Sequence, residues 1–328
     1  MTIAVRRMRA LGAAIVGMAL LSTGPDAAAQ KYPDKTVRIV TPFGPGGGTD
    51  VFARILAQRL TEQYSQQFIV ENRPGAGSTL GTESVAKAPP DGYTFLMTSA
   101  SFSFNPGLYT KLRYDSIRDF VPVTQVVRVP HVIVVLPSFP ATNLQEFVKI
   151  ARARPNEVLY ASSGAGSAMH LAGALFGIVT NTKLTHVPYK SGGATVTAVL
   201  GGEATTAFNT LETVIAQIRA KRVRALAVST RERAAAIPDV PTAMEAGVKG
   251  YEAIGWFGLF APGGTPPAIV QQMSSDVSKI MATPAMRERA LQEGATPIGS
   301  TPAEFQKFVH AEIAKWTKII HDAGIRLE

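Results

Sequence analysis

Strand-like and helix-like segments alternate along most of residues 37–260, and that alternation predicts an α/β protein with largely parallel strands. Two further observations sharpen this to two α/β lobes joined by two hinge crossings. The first strand, Val37 to Thr41, runs through a glycine-rich turn, Pro42 to Gly48, straight into a helix. Two extended stretches, 121–136 and 251–260, stand where a flexible linker would otherwise divide the chain.

The chain has 328 residues, no cysteine and a formal charge of +9. Residues 1–29 read as a cleaved export signal: Arg6, Arg7 and Arg9 form the positive end and Leu11 to Leu21 the apolar stretch. Ala27-Ala28-Ala29 supplies the small-residue cleavage site, so the mature chain is expected to begin at Gln30. The apolar stretch is too short to span a bilayer, and without cysteine there is neither a lipid-anchoring thiol nor a disulfide. A protein exported to the periplasm is expected. Cleavage would leave 299 residues, and losing three arginines and Asp26 would bring the charge to +7. That length suits two domains.

Apolar, β-branched runs mark strands at 37–41, 68–71, 94–98, 132–136, 158–161, 185–188, 205–208, 225–229 and 254–260. Amphipathic spacing marks helices near 49–64, 79–88, 143–154, 167–179, 193–201 and 210–220. Two or three helices fill 266–323, with at most one short strand between them. Pro122, Pro130 and Pro137 keep the first crossing extended, and Pro130 disfavours helix at Val129. The domains expected are a discontinuous first lobe, 30–128 plus 254–328, and a second lobe, 129–253. A hinged pair of this kind holds its ligand in the cleft at the strand ends.

The chemistry sits in the strand-to-helix turns. Gly46, Gly47 and Gly48 remove side chains where the next helix exposes unpaired amides, and Thr49 or Asp50 can cap that end. Such a pocket suits an anion. It lacks the lysine and hydroxyl of a GxxxxGK[ST] loop and does not fit GxGxxG, so a small anion is a better reading than a nucleotide. An ordinary tight turn explains the same residues. Similar turns follow at Ser99-Ala100-Ser101, at Ser162 to Ser167 with Ser167 as helix cap, at Tyr189 to Gly193, and at Phe208-Asn209-Thr210. Hydroxyls and amides dominate them, with few formal charges. Four or five charge-assisted hydrogen bonds of about 1.5–3 kcal/mol each would, less the entropy of capture, support micromolar binding of a carboxylate.

Basic residues are scattered, without the clusters or interleaved aromatics of a nucleic-acid surface. No G-x-S-x-G or H-E-x-x-H occurs, and the five histidines show no metal-ligand spacing. His170 and His186 read as structural, and Glu203 and Glu212 have no evident acidic partner for general acid–base work. No catalytic residue, metal or cofactor is therefore expected. An exported enzyme acting on a carboxylic acid, or a ligand-sensing receptor for a membrane signalling protein, remain the competing readings.

Several segments in order resemble one family over essentially the whole mature chain: Val40 to Asp50, Val70 to Gly77, Ala86 to Thr94, His186 to Lys190, Trp256 to Pro262 and Thr301 to Phe305. They are similar to the periplasmic solute receptors of the tripartite tricarboxylate transporters, the Bug receptors. The resemblance implies a type II periplasmic-binding fold that closes on a small organic acid and delivers it to a membrane permease of the tripartite type. A mono- or dicarboxylate is implied, aromatic acids included, bound by a monomer. By the same resemblance the first-lobe contacts are Phe43, Gly46, Gly47, Gly48, Thr49, Asp50, Ser99 and Ser101, with Asp50 shaping the loop. The second-lobe contacts are Ser163, Gly166, Ser167, Tyr189, Asn209 and Thr210. Relatives often carry acidic residues around the Phe208 segment; Thr205, Thr206 and Asn209 here disfavour a ligand ammonium group. Ser78 and Ser191 stand where glycine is common. A β-branched residue at Gly47 is expected to disrupt the amide pocket.

Overall fold

The computed structural model describes residues 32–327; the expected export signal lies outside the described residues. β1 (Val37–Thr41) is buried at Val37, Ile39 and Val40, as a central strand requires. It leads into α1 (Gly48–Tyr64), whose Phe52, Leu56 and Leu60 form the buried stripe. β2 (Phe68–Asn72), α2 (Thr79–Ala86) and β3 (Thr94–Ser99) complete two crossover units, with β1 parallel to both neighbours.

A short helix, α3 (Ser101–Leu108), follows at once, where only a polar turn was expected. Its sequence, Ser-Phe-Ser-Phe-Asn-Pro, hides it, because alternation and a proline both argue against helix. Packing decides otherwise. Phe102 lies with its centroid 4.5 Å from that of Phe260, and Phe104 meets Trp316 edge-on at 4.8 Å. Both phenylalanines are buried in the core.

The expected first crossing is one strand of 16 residues, β4 (Phe120–Val135). Its first part, Phe120 to Pro130, runs antiparallel to β9 (Ile254–Pro262) with register shifts after Pro122 and Gln125. Its last part, from His131, pairs instead with β7 (Thr206–Thr210) and β8 (Arg224–Val228). Between these lie α4 (Leu144–Ala153), β5 (Leu159–Ser162), α5 (Ala168–Thr180), β6 (Thr185–Pro188), α6 (Gly192–Leu200) and α7 (Leu211–Arg219). After β9 come α8 (Pro267–Ala282), α9 (Pro284–Gln292), β10 (Thr296–Pro297) and α10 (Pro302–Asp322). The strand order is β2-β1-β3-β9-β4-β7-β5-β6, with β8 and β10 also paired to β4. The strands thus form two groups, one on each part of β4, each with its crossover helices.

The aromatic core lies where α10 covers β9. Trp256, Phe260 and Phe305 are fully buried, with Phe305 4.9 Å from Phe260 and 5.6 Å from Trp256. Gly258 on β9 makes room for this helix: a Cβ there would stand 2.2 Å from a Phe305 ring carbon. Phe305 is hemmed in by Trp256 and Phe260 and cannot swing aside. Gly258→Ala is therefore expected to destabilise the protein by about 1–3 kcal/mol, the cost of overpacking. A urea midpoint equal to that of the parent would contradict this packing.

Candidate functional site

Gly47 occupies the N-cap position of α1, with φ −79° and ψ 162° and no side-chain cap. The first bond of the helix ladder runs from Val51 N–H to the Gly47 carbonyl, so the amides of Gly48, Thr49 and Asp50 precede it. Neither Thr49 nor Asp50 is the cap. Instead, the Asp50 carboxylate accepts hydrogen bonds from Gly46 N–H (2.9 Å), Arg54 Nε (3.0 Å) and Asn72 Nδ2 (2.9 Å). It folds the glycine turn back on itself. Burial alone would raise the Asp50 pKa, but these donors outweigh it and hold the group below the usual carboxylate range.

The other turns open on the same hollow, a cavity of about 460 Å³, within the usual size for small-molecule sites. At the end of β3, the hydroxyls of Ser99 and Ser101 are 3.0 Å apart, and Ser101 reaches Ser78 at 3.3 Å. Asn105 Nδ2 ties this chain to the Tyr114 hydroxyl at 2.9 Å. Across the cavity, Ser167 caps α5 by accepting the His170 N–H at 3.2 Å, as expected. Ser191 caps α6 in the same way through Ala194 N–H at 3.2 Å. Gly166 has φ +75° and faces the side chains of Leu327 and Leu108, so only glycine fits.

Ten of the expected contacts line the cavity: Phe43, Gly47, Gly48, Thr49, Ser99, Ser101, Ser163, Gly166, Ser167 and Thr210. Four do not. Gly46 gives its amide to Asp50, and the Asp50 carboxylate is already fully engaged. The Tyr189 hydroxyl turns outward to Glu203 at 3.4 Å. Asn209 lies wholly buried beneath the surface, its Oδ1 accepting from Thr195 at 2.8 Å. Gly47 also needs reinterpretation. A Cβ there would meet only the Gly44 carbonyl at 3.9 Å, whereas one at Gly48 would stand 2.8 Å from the Phe257 ring. The steric requirement for glycine belongs to residue 48.

Lining residues that the turn chemistry did not reveal include Ser78, Asn105, Lys190, Glu212, Trp256 and Phe257. Trp256 and Phe257 come from β9, remote in sequence from every βα turn. Glu212, in the first turn of α7, changes the expected charge-poor character of the site. Its burial raises the pKa from 4.5 to about 7; the Thr210 side chain and its own backbone N–H oppose this, and Glu293 reinforces it. His170 and His186 stack face to face, with centroids 3.9 Å apart, against Tyr160, and His186 Nε2 pairs with the Ser162 hydroxyl. His170 Nδ1 accepts the Gly166 N–H at 3.0 Å, which orients the second strand group's turn.

A family model described as the tripartite tricarboxylate transporter family receptor matches residues 52–325. Protein BugT of Bordetella pertussis is 34% identical over 319 residues, covering 96% of this chain and 98% of its own. Among solved structures, an R. palustris protein with adipate gives a TM-score of 0.84 at 36% identity, covering 90% of this chain and all of the other. MatC from Rhodopseudomonas palustris with bound malate gives 0.80 at 31% identity, covering 88% and 100%. The periplasmic binding protein BugD gives 0.81 at 33% identity, covering 90% and 100%.

Two outcomes are expected from the turn geometry. Ser167→Ala removes a helix cap and costs about 1 kcal/mol of stability, read from denaturant midpoints. Because the folded-state pKa of Asp50 is depressed, its stabilisation is present above the unfolded value and fades as pH falls through the folded one. The gap in urea midpoint between the parent and Asp50→Asn should accordingly be largest near neutrality and shrink in acid. A gap that widens in acid would show that Asp50 does not hold the turn.

Proposed function

Because the chain belongs to the receptor family of the tripartite tricarboxylate transporters, we propose that it is exported to the periplasm, captures a small organic acid there as a monomer and presents it to a tripartite-type permease. That family is one of solute receptors and not a class of enzymes. The single observation that supports the ligand class is the cavity lined by turns of both strand groups, with Gly48 and Thr49 of α1 beside Ser99 and Ser101 in its wall together with Ser163 and Ser167. Neutral donors of this kind hold a carboxylate without the desolvation penalty of a buried ion pair. Adipate and malate, seen in two of the similar structures, are the dicarboxylates to try first.

In this reading the first lobe comprises 30–128 and 254–328 and the second 129–253. The ligand seats on one lobe, and contacts from the other favour closure. The contact set is Gly48, Thr49, Ser99 and Ser101 on the first lobe, with Ser163, Gly166, Ser167 and Thr210 on the second. Phe43 and Gly47 complete the wall beside the amides.

A thermal-shift panel of mono- and dicarboxylic acids tests the class, since a ligand raises the melting temperature by mass action. At least one acid should bind with a dissociation constant in the micromolar range, about −8 kcal/mol. Gly48→Val fills the cradle and should weaken that acid at least tenfold by calorimetry, an expected loss of about 1.4 kcal/mol or more. Stabilisation by no member of the panel would sink the carboxylate reading; an unchanged constant in Gly48→Val would relocate the site.

A further inference from the structure

Among the described residues lining the cavity, Glu212 alone carries a carboxyl group. It projects from the first turn of α7 toward the opposite strand group, so that a Cβ added to Gly48 would lie 3.1 Å from Glu212 Oε1. Gly48 supplies the first free amide of α1. An acid seated on those amides therefore lies against a second carboxyl group. Two carboxylates at such range do not both remain ionised without a cation between them.

No described cation pairs with Glu212. Among the described residues Glu212 makes no ion pair, and its Oε2 is buried without a hydrogen-bond partner. From its own helix, Thr210 and the backbone face it. From the α1 side the charged group is Asp50, locked to Arg54 at 3.0 Å. From the turn after α9 it is Glu293, paired with Arg289. From β9 come only Trp256 and Phe257, and from the α6 turn the exposed Lys190, more than 4 Å from the carboxyl group.

We propose that Glu212 grips the ligand's carboxylate through a shared proton, so that the receptor takes up a dicarboxylate dianion together with one hydrogen ion from solvent. This rests on the carboxylate reading above. The proton stays on the Glu212–ligand pair, as one O–H donating to the neighbouring oxygen, and returns to water on release. The raised pKa of Glu212 makes the protonated form common near neutrality. The linkage sign follows. Protonation favours binding, so affinity is full below the free-site pKa and falls about tenfold per pH unit above it.

The test is calorimetry with adipate, or with malate if it binds more tightly, at about pH 6.5 and 8.5, where both acids are dianions. With a free-site pKa of about 7, the dissociation constant of the parent should rise roughly 25-fold across that range. Glu212→Gln, a neutral side chain that still donates, should reduce this ratio to within about twofold. Heats for the parent measured at pH 8.5 in two buffers of different ionisation enthalpy should report uptake of nearly one proton. Affinity that is flat or rises with pH, an equal pH ratio in Glu212→Gln, or no proton uptake overturns the shared proton while leaving the receptor intact. Failure of every acid in the panel to bind either protein overturns the carboxylate reading itself, and this inference with it.

Discussion

The antiparallel ladder between β4 and β9 is the contact on which the rest of the structure depends. β9 pairs with β3 on its other side, so the first strand group hangs from it. β4 continues beyond that ladder into β7 and β8, so the second group hangs from its far end. One strand thereby sets where both families of βα turns open. Trp256 and Phe257, which lie on the ladder itself, also line the cavity. Strand register on β4 and β9 thus brings the two sets of turns to one cavity.

Within that frame, donors greatly outnumber charges. Helix N-termini from both groups deliver amides and serine hydroxyls, and several hydroxyls are already spoken for by caps or by each other. That matters for energetics. A hydroxyl held in a network is pre-oriented, and a ligand gains its hydrogen bond at little further entropic cost. Glu212 is the exception, an acceptor among donors, and its Oε2 lies buried with no hydrogen-bond partner among the described residues. Asp50 shows the contrast: another carboxylate a few residues from the same amides is silenced by three donors and serves only the shape of the turn.

Much of the fold could be read directly from the sequence, because the β-branched strands and amphipathic helices of residues 37–98 and 132–229 each obey one clear period. α3 could not, because its helix is imposed by burying Phe102 and Phe104 among Phe260 and Trp316, partners more than a hundred residues away. At the site, small polar residues in turns were legible wherever the backbone alone brings them to the cavity, as at Gly48, Ser101 and Ser167. Tyr189 and Asn209 do not line the cavity for a different reason: their backbones lie in the expected turns, but their side chains bond to Glu203 and Thr195. In sequence Glu212 shows no evident acidic partner for acid–base work, so nothing there marks it; in three dimensions it stands out by a buried Oε2 without a hydrogen bond.

Pro130 occupies the last rung that β4 shares with β9, opposite Ile254, and His131 opens the first rung with β7. Proline brings no amide hydrogen to that rung, so the change of partner falls where the lattice of hydrogen bonds is thinnest. Next to it, His131 and Ser229 are both fastened to the Ala253 carbonyl, so the two crossing segments are stitched side by side. In the closure proposed above, the bend between the two halves would fall on this narrow, stitched seam.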